Sequence, residues 1–116
     1  MKGQMVDWSE TCEALEEEIV IIDTEYNILR ANKTFAKMVG ISQDGLAGRK
    51  CYEAVHGTDS PLSSCPLVKT LNTKKTASTE AKEPHLGKGT FLLTASPVID
   101  DKREVKWVVL TIKDIT

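Results

Sequence analysis

Three residues with ligand or redox chemistry fall in one short stretch: Cys51, His56 five positions on, and Cys65 nine beyond that. Thiolate sulfur and neutral imidazole nitrogen are good donors to zinc and related metals, and three of them plus water would leave one coordination position open. The spacing holds neither a close Cys-x-x-Cys nor a His-x-x-x-His pair, and no fourth ligand stands nearby. A metal or iron–sulfur centre is therefore the less favoured use. A redox thiol pair is the second use, because Cys65 precedes Pro66 at the expected start of a helix, where the partial positive charge favours a thiolate. The default is plain packing, with two small buried hydrophobes and a histidine that caps a helix end or bonds a backbone carbonyl.

Other groupings carry less. Gly87-Lys-Gly-Thr90 lacks the first glycine of a phosphate loop and does not join a strand to a helix, so it reads as a hairpin turn, with His85 beside it in solvent. Glu16-Glu-Glu18 is a charge run suited to a solvated face. Asp44 and Asp59 have no partner carboxylate, and no Ser-His-Asp order sits in a recognisable elbow. The chain is expected to be regulatory and not an enzyme.

The elements that must position these residues follow from hydrophobic spacing. Asp7 or Ser9 can cap a helix to about Glu17, with Trp8, Cys12 and Leu15 as its stripe. Ile19–Ile22 reads as a buried strand, turning through Asp23–Asn27 into Ile28–Ala31. Asn32 looks like a cap, Phe35, Ala36, Met38 and Val39 share one face, and Gly40 supplies a left-handed stop, which predicts a helix over 33–39. Glycines and prolines then allow only short helices, at 42–45, 49–55 and 66–72. Strands are predicted over 77–83, 90–99 and 104–112, with Pro97 at an edge or bulge. Strands and helices are segregated, which predicts an α+β fold with an antiparallel sheet covered on one face.

At 116 residues the chain is expected to be one domain, able to bury roughly two-thirds of its surface. Hydrophobic residues at 41% and charged residues at 28% match globular averages and exclude a disordered or collagenous chain. A net charge of −2 lacks the footprint of a nucleic-acid or anionic-membrane binder. No apolar run approaches the roughly 18 residues of a membrane span, and the acidic start is unlike a signal peptide. Cytoplasmic localisation is the expectation. Three cysteines at uneven spacing then suit free thiols better than a structural disulfide.

Glu18-Ile-Val-Ile-Ile-Asp23, Tyr26-Asn-Ile-Leu-Arg-Ala-Asn32, Phe35, Gly40, Gly45 to Gly48, Ser96-Pro-Val-Ile-Asp100 and Asp114-Ile-Thr116 together resemble a PAS domain over about residues 16–116. The resemblance implies a five-stranded antiparallel sheet of order 2-1-5-4-3, with short helices packed on one face over a cavity for a small ligand. The division is a flanking helix over 1–17 and a sensor over 18–116. It further implies an attached signalling output, a histidine kinase first, reached through Asp114 and Thr116, so that a chain of this size is an input module without its output. Relatives with the Gly-Arg-x-Cys-Tyr-Glu-x-x-His-Gly pattern, here Gly48 to Gly57, also carry a later Cys-Pro, here Cys65-Pro66, which groups these residues without assigning them a role.

Gly48-Arg-Lys-Cys51 also resembles the photoactive-cysteine segment of flavin-binding light-sensing PAS domains, but Lys50 replaces its Asn and Tyr52–Val55 replace its Arg-Phe-Leu-Gln, so flavin is disfavoured. Haem is disfavoured because the helix at 66–72 lacks an axial histidine, although His56 could serve from another position. No cofactor is named. The expected pocket lining is Phe35, Tyr52, Leu67, Leu71, Phe91, Leu93 and Trp107, each of which could equally be ordinary core. On the last strand Val105, Trp107 and Val109 share one face, and Val108, Leu110 and Ile112 the other. Two apolar faces predict that one meets the helices and the second meets the Trp8–Glu17 helix or a second subunit, giving a homodimer. The alternatives are a Cys51/Cys65 redox switch, a Cys51/His56/Cys65 metal switch, or a dimerisation module that senses nothing.

Overall fold

The computed structural model describes residues 17–116. The helix expected over 1–17 lies outside these residues but for Glu17. The elements run β1 (Glu18–Ile22), β2 (Ile28–Ala31), α1 (Lys33–Val39), α2 (Gln43–Leu46), α3 (Cys51–His56), α4 (Pro66–Thr73), β3 (Ala77–Lys82), β4 (Thr90–Ile99) and β5 (Val105–Asp114). The strands form one antiparallel sheet of order β2-β1-β5-β4-β3, as the resemblance implied.

The short helices start and stop where local chemistry dictates. Asn32 caps α1 from an extended backbone, and Gly40 ends it at φ 74°. Asn32 is fully buried and does more than cap. The Ile19 and Phe35 amides donate to its Oδ1 at 3.1 and 2.9 Å, while its Nδ2 donates to the Glu17 carbonyl at 2.8 Å, so one side chain ties α1 to the start of β1. The Ser42 hydroxyl caps α2, and Gly57 stops α3 at φ 69°. Pro66 opens α4, where its missing N–H costs nothing.

Packing sorts the sheet's two faces. Val20, Ile22, Phe91, Leu93, Ala95, Val108, Leu110 and Ile112 are buried beneath the helices. Buried Thr70 donates its hydroxyl to the Ala95 carbonyl at 3.1 Å and so anchors α4 to β4. Pro97 lies where β4 has run past its β3 partner, just before a break in register at Val98/Ile99. A strand tolerates a lost donor there. That break corrects the expected face of Val105: two β5 positions oppose one β4 step, the alternation is offset, and Val105 packs against the core instead of beside Trp107. β5 also runs two residues further than predicted, because Lys113 and Asp114 pair with Leu92 and Phe91 although their side chains are polar.

Candidate functional site

The β1–β2 turn supplies one wall of the site. Asp23 accepts the Glu25 and Asn27 amides at 2.8 and 2.9 Å, and this turn holds Tyr26 in the left-handed region at φ 71°. The Tyr26 carbonyl then accepts the Cys51 amide at 2.8 Å, which pins the start of α3 to the turn. The Tyr26 and Tyr52 rings meet edge to face with centroids 5.9 Å apart. The segment from Gly57 to Cys65 closes over them, turning where the Cys65 amide donates to the Leu62 carbonyl at 2.9 Å.

Between these parts lies a cavity of about 10 Å³ lined by Tyr26, Cys51, Tyr52, His56, Pro61, Leu62, Cys65, Leu67 and Val68. That is room for a single water, whereas pockets for drug-sized ligands run to about 300–1,000 Å³. All three chemistry-bearing residues thus line one cavity. Both thiols are free and buried. Burial, helped by neighbouring Cys65, holds the Cys51 thiol far above its ordinary range. Burial also raises Cys65; the Leu67 amide opposes this, Glu83 adds to it and the Val68 amide opposes it again. Among the described residues no three His, Cys, Asp or Glu side chains form a set that could hold a metal ion.

His56 is the polar feature of the cavity. Its side chain is 3% exposed, and Nδ1 lies 2.7 Å from Oε1 of Glu83, itself 11% exposed. A carboxylate only accepts, so Nδ1 donates a hydrogen to Glu83, and in the neutral ring the lone pair is then on Nε2. Nε2 is buried with no hydrogen-bond partner. Glu83 begins the β3–β4 connection, and its carbonyl accepts the Leu86 and Gly87 amides at 2.8 and 3.2 Å. The far end of that connection holds the C-terminal residues. The Thr90 amide donates to Thr116 Oγ1 at 3.1 Å, the Ile115 amide to the Thr90 carbonyl at 2.9 Å, and the Thr116 hydroxyl to Asp114 Oδ1 at 2.5 Å. The Thr116 amide also donates to Asp114 Oδ1 at 3.0 Å, and these bonds from the Thr116 hydroxyl and amide hold the Asp114 carboxyl below its usual range. Gly89 sits at φ 100°, and a Cβ there would run into Thr116 Oγ1.

Of the seven residues expected to line a pocket, Tyr52 and Leu67 line this cavity. Phe35 and Leu93 are core, and Leu71 packs against it half-buried. Phe91 is buried and also borders a surface groove of about 550 Å³ with Glu18, Lys37, Lys88 and Asp114. Trp107 lies on the sheet's other face, in a shallow groove with Ile21, Leu29 and Arg30. The reason is strand alternation: the neighbours that put Val108 and Leu110 under the helices turn Trp107 away from them. Tyr26 and Glu83 were missed by sequence reasoning. Glu83 stands 27 residues from His56, with no spacing that links the two.

The described residues contain no helix long and apolar enough to cross a membrane. A family model described as PAS domain matches residues 16–116. No curated protein sequence matches the chain. Among solved structures, a sensory box sensor histidine kinase from Vibrio cholerae is similar at TM-score 0.74 and 20% identity, covering 93% of this chain and 88% of that one. A domain of an HTR-like protein from Haloarcula marismortui is similar at TM-score 0.67 and 21% identity, covering 88% and 100%. The PAS domain of BvgS from Bordetella pertussis is similar at TM-score 0.70 and 16% identity, covering 93% and 82%.

Proposed function

The chain belongs to the PAS domain family, and from that membership we propose that residues 18–116 are the cytoplasmic sensory input of a signalling protein, with a histidine kinase as the first choice of output. The observation that carries the reading is the continuous set of contacts from the His56 cavity, through Glu83 and the β3–β4 connection, to Asp114 and Thr116. A small stimulus that changes the His56–Glu83 bond moves the start of a short connection whose other end grips the C-terminal residues. The cavity as it stands takes one water, so a larger ligand must open the segment from Gly57 to Cys65.

The test is autophosphorylation of the full-length protein. Gly89→Ala should loosen the grip on Thr116 and change basal output several-fold while residues 18–116 stay folded. Output that is unchanged in this variant, and also unchanged when residues 18–116 are deleted, refutes the proposal. A second reading, that the module only dimerises a larger protein, draws support from the second sheet face, where Ile21, Leu29, Trp107 and Val109 are grouped outside the helix-covered core. Homodimerisation through that face is compatible with sensing.

A further inference from the structure

Two free, buried thiols and an imidazole whose buried Nε2 has no hydrogen-bond partner line the same cavity. We propose that Cys65 and Cys51 form a reversible disulfide in response to a small hydroperoxide, with His56 as proton acceptor and Glu83 as the residue that positions it. This inference deepens the sensory reading by naming a class of stimulus, and it rests on that reading for its biological meaning.

The geometry distinguishes the two sulfurs. Cys65 is 7% exposed and precedes the first turn of α4, whose Leu67 and Val68 amides favour its thiolate; Cys51 is 2% exposed and set deeper. Cys65 lines the same cavity as Cys51 and Tyr26 and lies within electrostatic reach of both and of Glu83. Resting thiols in so dry a site are protonated and slow to react. The Nε2 lone pair supplies the missing function, and the Glu83 carboxylate on Nδ1 stabilises the imidazolium that results, as a carboxylate does behind a histidine base.

The chemistry closes without further reagents. The Cys65 thiol gives its proton to His56 Nε2, and the thiolate attacks one peroxide oxygen. The O–O bond breaks, the sulfur is oxidised to a sulfenic acid, and the leaving alkoxide takes the proton from His56 to depart as an alcohol, or as water when the oxidant is hydrogen peroxide. The Cys51 thiol then attacks the sulfenic sulfur, the S–S bond forms, the S–O bond breaks and water leaves with the Cys51 proton. Two thiols and one hydroperoxide give one disulfide, one alcohol and one water. The bridge staples the start of α3 to the start of α4 across the segment that roofs the cavity. Opening or closing of that roof thereby becomes dependent on oxidant.

The experiment treats the 116-residue chain, with Cys12→Ser to remove the third thiol, with hydrogen peroxide and reads intact mass, peptide map and Tm. The expected product has lost two hydrogens, links Cys51 to Cys65, melts about 10 °C higher and reverts with dithiothreitol. In Cys51→Ser the same treatment should stop at a Cys65 sulfenic acid that dimedone traps. In His56→Gln the trapping rate should fall at least tenfold, a difference that vanishes when both proteins are unfolded in guanidinium. Peroxide that leaves both thiols intact, or drives Cys65 to sulfinic acid with no link to Cys51, overturns the proposal, and the map of the Cys12→Ser parent decides this even if a further variant fails to fold. Failure here leaves the autophosphorylation test of the sensory reading untouched, and failure of that test leaves the disulfide chemistry standing.

Discussion

Glu83→Ala removes the partner of a buried imidazole. The His56 side chain, 3% exposed, would then hold two unbonded ring nitrogens, because Nε2 already has none. Losing a charge-assisted hydrogen bond and orphaning a buried donor costs about 2–3 kcal/mol. For a domain of this size that lowers Tm by about 10 °C or more. His56→Ala enlarges the cavity and leaves the Glu83 carboxylate, 11% exposed, without its partner, so it too is destabilising. The double variant has no orphan and should be no less stable than Glu83→Ala alone. Urea unfolding at pH 7 of the wild type and the three variants yields the coupling, expected at about 2 kcal/mol. A coupling below about 0.5 kcal/mol would show that the 2.7 Å contact is solvated in solution and would sink the argument that His56 is held by Glu83.

Asn32→Ala should cost about 3 kcal/mol, since it removes the α1 cap together with bonds to Ile19 and Glu17, and Asn32→Asp should recover part of that by keeping both accepted amides; the urea midpoint measures each. Burial tends to raise the Asp23 carboxyl, but bonds from the Asn27 amide, the Asn27 side chain and the Glu25 amide, with Lys50 nearby, hold it below its usual range overall. A depressed native pKa adds stability above the unfolded value that is lost as pH falls through the native one, so the advantage of wild type over Asp23→Asn should be full at pH 7 and vanish in acid melts. Trp107→Glu should leave Tm nearly unchanged and weaken self-association in sedimentation, whereas an unchanged association constant would remove Trp107 from any interface.

Most of the fold was legible because local signals and periodicity agree. Asn32 and Gly40 bound α1 at the residues the sequence predicts, and Thr90–Ile99 forms the strand that its β-branched and apolar residues favour. The sheet order came from a family resemblance, not from spacing, since nothing local says that β1 pairs with β5, about ninety residues later in the chain. The placements of Val105 and Trp107 on β5 differ from the expectation for two reasons. A period-2 pattern shows that β5 has two apolar faces but not which one the helices cover, and the offset at Val98/Ile99 moved Val105 across while Trp107 stayed outside.

Residue type and order alone determined that Cys51, His56 and Cys65 are the groups with chemistry to offer, and that glycines and Pro66 break this stretch into short helices around them. The tertiary structure decided that they share a cavity with room for one water, that Glu83 holds the histidine, and that the connection carrying Glu83 ends on Thr116. The His56–Glu83 side-chain bond, 27 residues apart, and the bond from the Thr90 amide to the Thr116 hydroxyl, 26 apart, depend on how β3, β4 and β5 align, and strand alignment is set by the burial of the whole core.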